Sequence, residues 1–514
     1  MEKEEHRQLI EIDNNKKEEG TNMKTIKRLL PLTLALFCIL PILAACGGAD
    51  TAKPAADTTA ALTEAVTEGE TELLPDLPDF TYDGKEFKIL RWYNGEGHLH
   101  THFEFDVEGL NGELLNDALY ERNRTIEEQY GVTISALDSA QPSDQVTRDV
   151  HAGDAPYQVV SDWPTRLAAI SAEGMLRNIL QIPYIDIEKP WWDHNSIESY
   201  TVGGKLFLIT GDYDLYDKQR ILIFFFNRSL SDSLGIPNLY ETVTDGKWTI
   251  DLMNTYTELA GSDLNGDGKI DPMNDQFGMI SGSYTYLPYL LFGAGSRYSQ
   301  HDSSGSFTLV IDNEHTVQTI EKLNKTFASD TTVYHEVVRS NPSVTTLFES
   351  GRGLFYHEVS QVTRIVDMDD AFGLIPQPKF DEGQEKYLTG IQYEWSGSIG
   401  IPATVDGEEA EMTGVLLEAL AALSHRTTYP VFIEDILQNK KAPDKESADM
   451  LRMIYSNIVY DIFGVFQFGK LPQTVYENIY KNHGEGFIST IEANREKVMS
   501  AYEKVYEQYG EIDY

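Results

Sequence analysis

Asp263, Asn265 and Asp267 alternate along the segment DLNGDGKID, Gly268 follows them, and Asp271 closes the run. Counted from Asp263, oxygen-bearing side chains fall at loop positions 1, 3, 5 and 9, with glycine at position 6. That spacing wraps hard oxygen ligands round one cation, and Ca2+ takes about six to eight of them. Lys269 offers only its backbone carbonyl, and position 12 is Asn274 rather than an acid, with Asp275 next to it. The expected donor set is therefore Asp263, Asn265, Asp267, the Lys269 carbonyl, Asp271 and Asp275. Two readings are open: a turn stabilised by calcium, or an Asx-rich turn that holds no ion. A second set of ligand-type residues is His98, His100 and His102 in HLHTH. Three imidazoles on one strand face can hold a metal, but no acid or cysteine framework stands beside them, so zinc is not expected there.

Cys46 carries a different chemistry. It ends MKTIKRLLPLTLALFCILPILAAC, in which Lys24, Lys27 and Arg28 precede an apolar run from Leu29 to Ile42. This is the pattern of a secretory signal. The run falls short of the ~20 residues that a membrane span needs. Leu43-Ala44-Ala45-Cys46 resembles a bacterial lipobox, which implies cleavage before Cys46 and a diacylglycerol on its thiol. Residues 23–45 are then the lipoprotein signal and 1–22 a charged extension with no role in secretion, so Met23 is the expected start. The expected location is the extracellular face of the bacterial cytoplasmic membrane, held by lipid.

The 514 residues carry a net charge of −41, from 41 Lys+Arg and 82 Asp+Glu. Basic and acidic residues balance within 1–45, so the acidity belongs to the exported part. Nucleic acid and anionic lipid are poor partners for such a surface. The only cysteines are Cys38 and Cys46. Cys38 leaves with the signal, so no disulfide, cysteine nucleophile or cysteine metal site is expected beyond it.

Residues 46–79 are rich in Ala, Thr, Glu, Asp and Gly and read as a tether. The globular part, 80–514, is long enough for two or three cores. Phe87–Trp92 reads as a strand, and the stripe Leu115, Leu119, Arg122, Ile126 as a helix ended by Gly131. Val132–Ile134 follows as a strand, and strand–helix–strand order points to a parallel α/β sheet. Further strands are expected at Gln158–Ser161, Lys205–Ile209, Ile221–Asn227, Gly353–Tyr356, Gly373–Pro376 and Ser398–Pro402. Helices are expected at Arg166–Leu176, Met412–Ser424 and Ala448–Tyr460. Ile221–Phe226 is wholly apolar, as a strand buried on both faces is.

The order of these segments resembles the extracellular solute-binding proteins of bacterial ABC importers, the carbohydrate-binding group. The resemblance rests on Asn227-Arg228 after a strand, Gly235-Ile236-Pro237, and Lys247-Trp248-Thr249, where Thr follows Trp instead of preceding it. Phe348–Phe355 (FESGRGLF) and Phe372–Lys379 (FGLIPQPK) extend it. It implies an α/β, two-lobed, periplasmic-binding-protein-like fold (type II), with a hinge and a ligand cleft between the lobes. Lobe 1 would take about 80–220 and 376–430, and lobe 2 about 221–375 and 431–514. It also implies a monomer that delivers a solute to permease subunits in the membrane, and a structural place for the calcium-type loop.

Sugars present apolar C–H faces to aromatic rings and hydroxyls to polar side chains, and ligands of open α/β sheets sit beyond the carboxyl ends of strands. Aromatic and polar residues at such ends are Trp92 and Tyr93, Asp162 and Trp163, Asp212 and Tyr213, and Tyr393, Glu394 and Trp395. These are the expected contacts of an oligosaccharide or sugar. Trp191 and Trp192 are expected to pack within a lobe. No Gly-x-Ser-x-Gly elbow, His-Glu-x-x-His or Walker loop occurs, and no catalytic residue is expected. The rival readings are a surface-anchored carbohydrate-active enzyme, which needs two carboxylates about 5–10 Å apart, and an adhesin or sensor without transport.

Overall fold

The computed structural model describes residues 75–95, 102, 104–302, 305–334, 343–361, 365, 368–438 and 445–514. The signal segment, Cys46 and the tether as far as Leu74 lie outside them, as do His98 and His100. Among the described residues no helix is long and apolar enough to cross a membrane.

In chain order the strands are β1 (Lys85–Trp92), β2 (Val132–Ser139), β3 (Val159–Asp162), β4 (Leu222–Asn227), β5 (Phe277–Ser281), β6 (Ser299–His301) and β7 (Phe307–Leu309). They continue with β8 (Thr332–Tyr334), β9 (Gly353–Val359), β10 (Phe372–Ile375), β11 (Thr389–Gly390), β12 (Ser398–Gly400) and β13 (Ile458–Val459). One sheet has the order β12-β3-β1-β2 and a second the order β10-β4-β9-β5-β8. Two short ribbons, β11-β13 and β6-β7, complete the set.

The first sheet begins as its sequence dictates. Phe87, Ile89, Leu90 and Trp92 bury their side chains, and the helix Leu114–Tyr130 turns Leu119, Ile126 and Tyr130 inward. Gly131 ends that helix at φ 61°, a left-handed cap that glycine adopts without steric cost. β2 then pairs parallel to β1 from Lys85↔Val132 onward, as a helical crossover requires. In the second sheet every residue of β4 is buried, between antiparallel β9 and β10, while β5 lies parallel to β8 and β9. Asn227 caps the next helix through its side chain, which accepts from Leu230 N at 2.9 Å. Thr249 does the same for Ile250–Ala260, and this is why threonine follows the wholly buried Trp248.

Three expected elements differ; the helix expected over Arg166–Leu176 runs Pro164–Ala172, and Leu176 bridges Pro402 instead. Lys205–Ile209 is not a strand: it makes only isolated bridges, Lys205 to Val202 in a local turn and Ile209 to Ile399. Asn178 Oδ1 accepts from Leu206 N and Ile179 N donates to Leu206 O, so the segment is anchored outside any ladder. The helix expected to reach Tyr460 runs Lys445–Tyr455, after which β13 pairs with β11.

The chain passes from the first sheet to the second at Arg220–Ile221 and returns at Ile391–Gln392. These segments pair antiparallel, through Ile221↔Ile391 and a bond from Gln392 N to Arg220 O of 3.0 Å. The return therefore lies beyond the expected Pro376, whose carbonyl still accepts from Trp248 Nε1 inside the second lobe. β13 follows β11 as a third crossing segment. The C-terminal helices are shared between lobes: Gly407–Arg426 packs on Leu114–Tyr130, Lys445–Tyr455 on β10, and Leu471–Asn482 on the helix Leu287–Gly293. The last helix, Phe487–Glu511, also reaches the first lobe, where Tyr509 OH meets Ser171 Oγ at 2.7 Å.

Candidate functional site

The carboxyl ends of β1 and β3 bring three tryptophans together. The Trp163 ring lies 5.5 Å from Trp92 and 4.4 Å from Trp395, which stands on the segment returning from the second lobe. Arg166, one helical turn after Trp163, places its guanidinium 3.7 Å over the same ring, a cation–π contact. Trp92 is buried, whereas Trp163 and Trp395 are partly exposed. Asp162 works from behind. Its Oδ2 accepts from Ser143 N and Oγ at 3.1 and 2.7 Å, and its Oδ1 from Trp163 N at 2.8 Å. Burial raises its pKa against the pull of Arg166. Asp162 thus fixes the backbone that aims Trp163.

The second lobe faces this cluster with tyrosines. Tyr289 OH donates to Glu394 Oε2 at 3.2 Å, and Gln467 Nε2 donates to Glu394 Oε1 at 3.2 Å. Burial raises the Glu394 pKa. Beyond β5, Tyr284 stacks on Tyr480 at 4.4 Å, and Tyr286 OH donates to Glu358 Oε1 at 3.2 Å. Tyr356 OH donates to the other oxygen at 3.0 Å. A cavity of about 230 Å³ opens here, bounded by Thr285, Pro288, Tyr289, Glu394, Trp395 and Tyr476. Its walls come from the second lobe, the returning segment and the helix Leu471–Asn482. Apolar ring faces beside hydroxyl and carboxyl groups can stack a polyhydroxylated solute and bond its edge.

Of the expected contacts, Trp92, Trp163, Glu394 and Trp395 share this region, with Asp162 supporting it. Tyr393 is buried in the hinge, 5.9 Å from Tyr289. Tyr93 lies at the β1 edge, near the Arg91 guanidinium. Asp212 and Tyr213 stand elsewhere in the first lobe: Asp212 pairs with His425, and the wholly buried Tyr213 donates to Ile209 O at 2.9 Å. Trp191 and Trp192 are core, their indole N–H groups donating to Glu418 Oε1 and Oε2 at 3.0 and 2.8 Å. His102 is buried, with Nδ1 2.6 Å from Ser161 Oγ and its ring 4.4 Å from Tyr216. Arg166, Tyr286, Tyr289, Glu358 and Tyr476 escape the sequence reading. β5 is only five residues long, with no run of apolar residues long enough to mark it as a strand in the sequence, so Tyr284-Thr285-Tyr286 is not legible as a strand end.

Behind the hinge lies a nest of buried acids that no motif marks. Asp214 caps the short helix Leu215–Lys218 before Arg220, Asp217 lies within it, and Glu104 faces Asp214. Burial pushes Glu104 up to about 7 and Asp217 up to about 8, and raises Asp214 well above the usual range, helped by the Glu104 charge. Lys218 sits 3.4 Å from both Asp193 and Asp217. The Asp214 carboxylate lies directly against Gly397, where a Cβ would meet it at 2.4 Å, so only glycine fits there.

The expected calcium loop lies between the helix Ile250–Ala260 and β5. Its side-chain oxygens close turns: Asp263 accepts from Gly266 N and Gly268 N, Asn265 from Asp267 N, and Asp275 from Leu264 N and Asp271 N. Among the described residues no group of three or more His, Cys, Asp or Glu side chains is arranged to hold an ion. The donor chemistry suits Ca2+, but the convergence of the donors is carried by the spacing alone.

No protein-family model matches the sequence, and no curated protein sequence does. Among solved structures the chain is similar to a cyclo/maltodextrin-binding protein complexed with maltotetraose, at 15% identity and a TM-score of 0.52 over 83% of this chain and 97% of that one. It also matches an ABC substrate-binding protein from Listeria monocytogenes in complex with cycloalternan, at 12% identity and TM-score 0.47 over 83% and 100%. A third is UgpB from Mycobacterium tuberculosis in complex with glycerophosphocholine, at 13% identity and TM-score 0.49 over 75% and 95%. Two sheets joined by paired crossings, and a match running through nearly the whole of the first of these proteins, give this chain the two-lobed α/β fold of the periplasmic-binding-protein type found in ABC substrate-binding proteins.

Proposed function

We propose that the chain is the solute-binding component of an ABC importer and holds an oligosaccharide or sugar in the cleft beside Trp163 and Trp395. The observation that carries this reading is the aromatic cluster Trp92–Trp163–Trp395 at the strand ends, with the Tyr289–Glu394 pair beside Trp395 in one cavity. Rings bind the apolar sugar faces, and the carboxylates and tyrosines bind hydroxyls. No bond is made or broken. Solute favours the lobe angle in which both lobes touch it, and that differential affinity drives closure. The protein bound in the maltotetraose complex shares the fold and takes a ligand of this class.

The cellular setting rests on sequence. Cys46, carrying diacylglycerol, tethers the trap outside the cytoplasmic membrane, and membrane permease subunits receive the solute. The loop Asp263–Asp275 is proposed to take a structural calcium ion on the strength of its spacing. Titration of the full chain with linear and cyclic glucose oligosaccharides, read by tryptophan fluorescence and calorimetry, tests the central reading. Saturable binding is expected. No binding to any member, or turnover of a bound oligosaccharide, overturns it.

A further inference from the structure

Left-handed backbone outside glycine is concentrated around one element of the cleft. Of the five non-glycine residues with positive φ among the described residues, Gln467 and Lys470 precede the helix Leu471–Asn482 and His483 ends it. That helix supplies Pro472 and Tyr476 to the wall of the cleft cavity. In the turn before it, Gln467, Gly469 and Lys470 have φ of 52°, 58° and 65°, and Lys470 N donates to Gln467 O at 2.8 Å. Gly469 suits its place, since a Cβ there would lie 2.9 Å from Val498. Gln467 does not: glycine takes left-handed backbone without steric cost, and a glutamine is held there only by its surroundings.

Those surroundings are well defined. Phe466 and Phe468, the two neighbours of Gln467, stack on each other at 5.0 Å with planes inclined by 6°. Phe468 is buried against Phe463 and Tyr502, at 5.2 and 5.8 Å. Phe466 lies 6.3 Å from Tyr509, whose hydroxyl meets Ser171 in the helix that follows Trp163. The Gln467 side chain itself is exposed, and its Nε2 donates to Glu394 Oε1 at 3.2 Å. Tyr289 donates to the other oxygen at 3.2 Å. Glu394 is thus fixed from two elements, a helix of the second lobe and the left-handed turn. A carboxylate accepts at about four lone-pair sites. Two donors settle its rotamer in advance and leave it free to accept from hydroxyls of a solute, which lowers the ordering cost of binding.

We propose that Gln467 is a positioning residue of the cleft, held in left-handed backbone so that its amide orients Glu394 toward a hydroxyl of the bound solute. The inference rests on the reading of the cleft as the solute site. Glycine would fit the backbone better but brings no amide. Asparagine tolerates the same conformation but is one methylene short.

Calorimetric titration with linear and cyclic glucose oligosaccharides, beside melting of the ligand-free chain, tests the proposal on the parent, Gln467→Gly and Gln467→Asn. Both variants should bind about three- to tenfold more weakly, the fold-change of one net hydrogen bond. Gln467→Gly should melt at or above the parent temperature, because the backbone strain is relieved. A turn that served stability alone would lose melting temperature and keep its affinity. Parent-like affinity in both variants, or a Gln467→Gly protein that melts below the parent, overturns the proposal and leaves the cleft reading standing. Absence of binding by the parent strikes the cleft reading itself, and this inference falls with it.

Discussion

Trp163 and Trp395 meet at 4.4 Å between ring centres, one at the carboxyl end of β3 and the other on the segment that returns from the second lobe. A change of lobe angle acts on this pair directly. Replacing either ring by alanine removes stacking area from the cleft while leaving the sheets intact, because both side chains are partly exposed. Trp163→Ala and Trp395→Ala should each weaken oligosaccharide binding at least about tenfold, a loss of ~1.4 kcal/mol, with far-ultraviolet circular dichroism unchanged. Parent-like affinity in both variants would remove the cleft from this role.

Glu418 is the common acceptor of the two indoles of Trp191 and Trp192, and burial pushes its pKa up to about 7. Glu418→Ala strands two buried N–H donors, each costing about 1–3 kcal/mol. The variant should melt well below the parent in differential scanning calorimetry. Glu418→Gln keeps an acceptor for one indole only and should fall between them. Equal melting temperatures for parent and alanine variant would contradict this account.

The acid nest sets a sign for pH. A carboxyl whose folded pKa is raised keeps a proton that the unfolded chain has already lost, so stability falls as pH climbs from the ordinary value to the folded one. That window runs from 4.5 to about 7 for Glu104 and from 3.8 to about 8 for Asp217. His425, raised by its bond to Asp212, acts in the same direction, its contribution being full below its ordinary value of 6.5 and lost above the raised one. Lys218, Asp193 and the Tyr460 hydroxyl also face Asp217, and Lys218 opposes the rise without cancelling it. The melting temperature should be several degrees lower at pH 8 than at pH 5, and Glu104→Gln, which is neutral throughout, should flatten the slope. A melting temperature that climbs from pH 5 to pH 8 would refute the burial argument.

How far the sequence could be read follows from the range of the forces involved. β4 is legible because a short wholly apolar run rich in β-branched and aromatic residues favours a strand buried on both faces, and the helix before Gly131 because stripe and cap coincide. Trp163 and Trp395 were legible as strand-end aromatics, although nothing in the sequence tells that they touch. The Tyr289–Glu394 bond and the Glu104–Asp214 contact join residues far apart in the chain, and neither leaves a local pattern. Lys205–Ile209 reads as a strand because its hydrophobicity signals burial, whereas a ladder also needs a partner strand long enough to pair along it. β12, the edge strand of its sheet, is only three residues long, and on its open side Ile209 alone pairs, with Ile399.

The calcium loop gives the last prediction. Asp263, Asn265 and Asp267 close Asx turns in the structure, and the same alternation would direct their free lone pairs, with the Lys269 carbonyl and the acids Asp271 and Asp275, toward one cation. An ion that binds only the folded loop stabilises by mass action. Calcium added to EGTA-treated protein should therefore raise the melting temperature, and magnesium, which needs a tighter octahedron, should do so less. Asp267→Asn exchanges a charged oxygen donor for a neutral one and keeps the turn-forming oxygen, so it should weaken the calcium response without lowering the melting temperature in EGTA. Asp267→Ala loses both the donor and the bond to Lys269 N, and should lower that baseline as well. If calcium leaves the melting temperature unmoved and elemental analysis of the purified protein finds none, the loop is an Asx turn that its own backbone satisfies.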